Sequence, residues 1–171
     1  LLHPVAWMGR ATSFLTRLAP KRGVLPQRLA GMLIALLVPG LSGAAAAGAA
    51  YGLRHAGWPA YVIGGAVLLK TTFAVRGLTA GAGKVAAPLD SDDLAGARAQ
   101  VAGLVSRDVT GLPAPLLASA AVETVAENTT DSFVAPWLAF ALLGLPGAFA
   151  YRAINTLDSM IGFRGRFEHL G

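Results

Sequence analysis

The chain has no cysteine among its 171 residues. That excludes disulfides and thiolate metal ligands, and it leaves the redox compartment unreadable from the sequence. Charge is also scarce. Asp, Glu, Lys and Arg make up 13% of the residues, where a soluble domain carries about 25%. Acids are absent from the first 89 positions, which hold nine cations, and all nine acids lie from Asp90 onward against five cations. Between 132 and 150 there is no ionisable group. What remains is apolar: 54% of the residues are hydrophobic and the mean hydropathy is +0.57. The expected fold class is an all-α, polytopic integral membrane protein, built as one membrane domain over 1–171.

The flank 1–28 carries Arg10, Arg17, Lys21, Arg22 and Arg28 ahead of the first long apolar run. By the positive-inside rule this flank faces the cytoplasm. The cations alternate with Trp7, Phe14, Leu15 and Leu18, as in a helix lying in the membrane interface, which argues against a nucleic-acid-binding tail. Two transmembrane helices are expected over 29–76. The first, 29–53, has no charge and exceeds the ~20 residues a crossing needs. Pro39-Gly40 predicts a kink in it, and its second half offers a small-residue face with a Gly-xxx-Gly pair, Gly48 and Gly52. The second, 58–75, contains Lys70 near its end. Segment 77–112 reads as a Gly/Ala-rich linker over 77–88 and then a helix over 94–105, with Asp90, Ser91, Asp92 and Asp93 as caps and first-turn acids. Gly81-Ala-Gly-Lys84 is not a phosphate-binding loop, because Leu78 and Val85 stand where that motif needs Gly and Ser or Thr.

The remaining segment, 113–171, holds two polar clusters around the uncharged stretch. Glu123-Thr-Val-Ala-Glu127-Asn128-Thr-Thr-Asp131 precedes it, and Tyr151-Arg-Ala-Ile-Asn155-Thr-Leu-Asp158-Ser159 follows. Glu123 and Glu127 share one helical face, as do Asn155 and Asp158. Stacked carboxylates repel unless a cation lies between them, and carboxylates beside hydrocarbon are costly, so the pattern points to a site. A straight crossing at 132–150 would put the clusters on opposite sides of the membrane. Residues 133–143 make only about 16 Å of helix, roughly half a bilayer. A re-entrant or kinked hairpin turning at 144–147 is therefore expected, returning Asn155 and Asp158 to the side of Glu127.

The run Ala121-Val-Glu-Thr-Val-Ala-Glu-Asn-Thr-Thr-Asp131, with Asn155-Thr-Leu-Asp-Ser-Met-Ile-Gly162, resembles the membrane-bound cobinamide-phosphate synthase family of cobalamin biosynthesis (CbiB/CobD). His3-Pro4-Val5 with Met8-Gly9, Leu69-Lys70-Thr71-Thr72 and Arg107-Asp108 fall in the same order, so the resemblance runs from end to end. Family members read Gly-Arg-Asp-Thr where this chain has Ser106-Arg107-Asp108-Val109, with Thr110 next. They also continue well beyond Gly162, so the chain looks like a fragment.

The resemblance implies an ATP-dependent acid–amine ligase that joins adenosylcobyric acid to aminopropanol or its phosphate. The membrane would be the bacterial inner membrane, crossed several times, with the site facing the cytoplasm. Other membrane-associated enzymes of the corrinoid pathway are implied as partners, with the lipid bilayer as surroundings. Oxygen ligands without cysteine point to Mg²⁺, and cations beside them suit phosphate. Glu123, Glu127, Asp131 and Asp158 are the catalytic candidates, and Glu127, Asp131 and Asp158 the metal candidates. Lys70, Arg107, Asp108, Asn128, Asn155 and Ser159 are the substrate-binding candidates. A membrane transporter or sensor on the same scaffold is the alternative. It would repeat its broken helix, and no second copy of either polar motif occurs.

Overall fold

The structure is a computed structural model that describes residues 3–73, 75–105, 108–162, 167 and 169–171. Its elements are α1 (Pro4–Leu18), α2 (Val24–His55), α3 (Trp58–Lys70), α4 (Val75–Asp90), α5 (Leu94–Ala102), α6 (Ala114–Thr129), a π-helical turn (Thr130–Val134) and α7 (Ala135–Ile161). Among the described residues there is no strand. Among the described residues two helices are long and apolar enough to cross a membrane, Val24–His55 and the run Ala114–Ile161. The chain divides into two compact units, Leu1–Phe73 with Ala135–Gly171, and Ala74–Val134.

The first unit packs α1, α2, α3 and α7 around Met8, Ile34, Val38, Ala46, Leu69, Leu145, Ala148, Phe149, Ala153, Leu157 and Ile161. Small residues let α2 and α7 approach closely. A Cβ at Gly43 would stand 3.3 Å from the Pro146 carbonyl oxygen, and Ala46 is buried. The small-residue face expected on α2 is thus used, but through Gly43, Ala46 and Ala50; the Gly48/Gly52 pair meets nothing within 4 Å. The helix also runs through Pro39 without interruption.

The second apolar helix is shorter than its expected span of 58–75. The helix α3 ends at Lys70, and just past its end the Thr71 and Thr72 hydroxyls donate to the carbonyls of Leu68 and Leu69, at 2.6 and 2.7 Å. Its 13 residues make about 20 Å, less than the hydrocarbon thickness. At the turn before it, Arg54 lies over the Tyr61 ring at 4.8 Å and donates to the Tyr61 hydroxyl, while Tyr51 packs on His55 and Trp58 on Tyr61. Aromatic and basic groups gathered this way suit a membrane–water boundary.

The expected bend in the last apolar stretch is present. Gly144 leaves helical geometry with φ 67° and ψ −156°. Pro146 follows, and a Cβ at Gly147 would overlap the Ala139 carbonyl oxygen and come within 2.5 Å of Leu143 Cβ. Eight residues of straight helix would separate 139 from 147 by about 12 Å, so α7 folds back on itself here. On the first arm Trp137 stacks on Phe73 at 5.1 Å and meets Phe140 edge-on at 6.1 Å.

The second unit packs α4, α5 and α6 around Val85, Ala97, Val101, Val109, Leu117, Ala120 and Ala121. The linker expected over 77–88 is helical instead, as α4. Glycine costs a helix about 1 kcal/mol against Ala, and burial of Val85 against the unit's core works the other way. Asp93 caps α5 as expected, its carboxylate accepting from the Gly96 amide at 2.8 Å. That helix closes at Ala102, earlier than the expected 105. Arg98 holds the following loop by donating from Nε and Nη2 to the Leu112 carbonyl, at 3.2 and 3.1 Å.

Candidate functional site

The helix α6 starts after Pro113 and exposes Glu123 and Glu127 on successive turns, with Asn128 beside them. Asn128 donates from Nδ2 to the Thr124 carbonyl at 2.9 Å, leaving its amide oxygen outward. Thr129 and Thr130 hydroxyls bond back to the carbonyls of Val125 and Ala126, at 2.6 and 3.1 Å. Such back-bonding loosens the regular ladder. The chain widens immediately afterwards into the π-helical turn Thr130–Val134, which holds half-buried Asp131 and buried Ser132. Single π turns in long helices recur at functional positions. The sequence reading missed this one; the run of hydroxyl residues at 129, 130 and 132 is the signal that could have suggested it.

On the second arm of α7, Arg152 donates from Nη1 to Asn155 Oδ1 at 3.1 Å. Its Nε is buried and has no partner among the described residues. Thr156 and Ser159 hydroxyls bond back to the carbonyls of Arg152 and Asn155, at 2.8 and 2.9 Å. Asp158 and Ser159 are exposed and Asn155 half-buried, one turn apart on the same face. Gly162 ends the helix against Asp158: a Cβ there would lie 2.6 Å from the Asp158 carboxylate and 2.7 Å from its carbonyl oxygen. The glycine that closes this motif therefore has a steric reason. The fixing of Asn155 by Arg152 was not readable from spacing alone.

The candidate residues thus form two groups: Glu123, Glu127, Asn128 and Asp131 in the second unit, and Asn155, Asp158 and Ser159, with Arg152, in the first. Lys70, exposed at the end of α3, and Asp108, in the loop before α6, belong to neither row. Arg107 lies outside the described residues. Asp108 accepts from the Thr110 backbone N–H at 3.0 Å and from its hydroxyl at 2.8 Å. These bonds, the backbone one first, hold its carboxyl below the ordinary carboxylate value. Thr110 thus places a hydroxyl on the Asp108 carboxylate, while Val109 is buried in the core of the unit. Among the described residues no three Asp, Glu, His or Cys side chains gather closely enough to hold a metal ion.

Fold and polar groups together define an all-helical protein, among its described residues, whose long apolar helices carry acidic and amide side chains near their ends. The chain belongs to the CobD/Cbib protein family, whose model matches residues 1–171. It is similar to the cobalamin biosynthesis protein CobD of Dehalococcoides mccartyi, at 40% identity over 99% of this chain and 55% of that protein. The protein of the same name from Rhodobacter capsulatus is 43% identical over 99% of this chain and 53% of its own length. That from Geobacter metallireducens is 41% identical over 100% and 54%. The chain spans about half the length of these curated relatives. No solved structure matches it.

Proposed function

We propose that the chain forms part of a membrane-embedded acid–amine ligase of cobalamin biosynthesis, joining adenosylcobyric acid to aminopropanol or its phosphate at the expense of ATP. The observation that carries this reading is the family match across the whole of residues 1–171, with both polar groups inside motifs that resemble the family's. The setting in this proposal is a bacterial inner membrane, crossed several times with the site toward the cytoplasm; what the apolar helices expose supports the lipid contact alone. Leu36 is 74% exposed, Leu142 80% and Leu143 71%. Large leucines so exposed on helices of this length suit lipid as their solvent.

A carboxylate and an amine do not condense unaided at useful rates. ATP gives its terminal phosphoryl group to the corrinoid carboxylate, releasing ADP and leaving an acyl phosphate. The amine attacks the acyl carbon, the bond from carbon to the phosphate oxygen breaks, and amide and inorganic phosphate result. The attacking nitrogen gives up a proton, and Glu123, Glu127, Asp131 and Asp158 are the carboxylates that take it or meet the metal. Lys70 and Arg107 suit phosphate, and Asn128, Asn155 and Ser159 suit the polar edges of the substrates. Arg152 positions Asn155 for this role.

Mg²⁺ is the ion this reading calls for. Glu127 and Asp131 are oxygen donors one turn apart, with Asp158 as a third candidate. A pair of carboxylates without a closed cage suits an ion that shares its coordination with nucleotide phosphates. When bound, the ion neutralises charge on the ATP oxygens. The test is ATP-dependent incorporation of aminopropanol phosphate into adenosylcobyric acid by the purified full-length protein. Glu127→Gln and Asp158→Asn keep side-chain shape, and each should lower turnover at least 100-fold, roughly, with normal membrane insertion. Near-normal turnover in both would return these acids to a structural role, and no ATP-dependent incorporation by the parent protein would end the proposal.

A further inference from the structure

A cavity of about 410 Å³ opens where α1 turns into α2, lined by Thr16, Arg17, Lys21 and Gln27 on its polar side and by Phe167 and Leu170 on its apolar side. Arg17 and Lys21 are both exposed. No Asp or Glu occurs in the first 89 positions, and Glu168, next to Phe167 in the sequence, lies outside the described residues. Gln27 is half-buried, and its amide adds an uncharged donor to the same rim. Arg17 also lines the neighbouring cavity with Arg10, Ser13 and Met160, so positive charge continues along that side of α1.

We infer that this cavity is a binding site for the phosphate of an anionic phospholipid headgroup. A guanidinium fork beside an ammonium suits a phosphate diester, which stays charged at any physiological pH. What selects a lipid over a soluble phosphate is the cavity's surroundings. Leu18, Val24, Leu25 and Leu29, in the same stretch of chain, are exposed apolar side chains. They offer the acyl chains a path along α2 while the headgroup sits among the cations. Phe167 and Leu170 add apolar wall to the same cavity. The inference rests on the reading of α2 as a membrane-crossing helix, and it adds a fixed lipid to the general attraction of basic flanks for anionic membranes.

The test measures thermal stabilisation of the detergent-solubilised full chain titrated with phosphatidylglycerol, phosphatidylcholine or inorganic phosphate. Phosphatidylglycerol should stabilise it and the other two should not. Arg17→Gln with Lys21→Gln should raise the half-saturating phosphatidylglycerol concentration about 30-fold. Arg22→Gln with Arg28→Gln removes equal charge outside the cavity and should shift it far less. Both residues of the first pair are exposed, and the helical circular dichroism of that variant should match the parent; Lys21→Gln alone, with a smaller shift, serves if it does not. Equal shifts from both pairs would mean diffuse attraction, and equal stabilisation by inorganic phosphate would mean a soluble anion; either overturns the lipid site. Insertion into pure phosphatidylcholine vesicles is measured alongside. Its failure overturns the membrane reading itself, whereas insertion without lipid preference overturns only this inference.

Discussion

Replacing Gly144 by Ala tests whether the bend in α7 is built into the backbone. With φ 67° and ψ −156°, Gly144 sits in a region that only glycine populates freely, and a side chain there costs of order 1–3 kcal/mol. The cost is conformational and not steric, because the nearest atom to an added Cβ is Pro146 Cδ at 3.8 Å, an ordinary contact. Gly147 is the opposite case. Its backbone is regular, but an added Cβ would strike the Ala139 carbonyl oxygen and Leu143 Cβ, an overpacking worth about 1–3 kcal/mol. Each variant should shift the folding equilibrium by a factor of about 5 to 150. The two share one bend, so the double variant should lose less than the sum. Gly40 is the control. It is helical with open space around it, and Gly40→Ala should stabilise by about 0.5–1 kcal/mol. Titration into denaturing detergent, followed by helical circular dichroism, gives the free energies. Fluorescence from Trp137, in a background with Trp7 and Trp58 replaced by Phe, reports the first arm, where that ring packs between Phe73 and Phe140. A Gly144→Ala protein within about 0.5 kcal/mol of the parent, the usual range of neutral substitutions, would mean the bend does not need this conformation.

Asp93→Ala should destabilise the second unit by about 1 kcal/mol through loss of its helix cap, while Asp93→Asn keeps the bond; thermal unfolding separates the two. Thr110→Ala should move the Asp108 titration, followed by carbon NMR, up toward the ordinary carboxylate range. Because the folded value is the lower one, the contribution of these bonds to stability exists above the unfolded carboxylate range and vanishes as pH falls through the folded value. A cysteine at Lys21 should be shielded from impermeant thiol reagents in intact cells and one at His55 should react, since a single crossing by α2 separates them; equal labelling would contradict that crossing. Gly162→Ala should displace the Asp158 carboxylate, lowering turnover more than stability; unchanged turnover would detach Asp158 from the chemistry.

Hydrophobic pattern carried most of the architecture. The uncharged runs located α2 and the two arms of α7, Asp93 announced its cap, and the Gly/Pro cluster at 144–147 announced the bend, because each is governed by a local rule. What escaped depends on partners or on small energetic balances. Segment 77–88 looks like a linker by glycine content, yet burial of Val85 favours helix. The end of α3 falls at two threonines whose back-bonding hydroxyls are no stop signal, since Thr12 and Thr156 make the same kind of bond within continuing helices. Gly48 and Gly52 are spaced for a helix contact, but Gly43 is the glycine that α7 approaches.

The candidate site divides in the same way. Helical spacing placed Glu123 with Glu127 and Asn155 with Asp158, and the structure keeps both pairs on their helices. Spacing says nothing about what holds such groups in position. Arg152 fixes the oxygen of Asn155, so the amide presents its nitrogen as a donor in a defined direction. Gly162 leaves room for the Asp158 carboxylate, and the π turn widens the helix directly after Thr129. A helix end that only needed capping would require none of these three. Their concentration within a few turns of the acids argues that side-chain direction, and not charge alone, is what these motifs preserve.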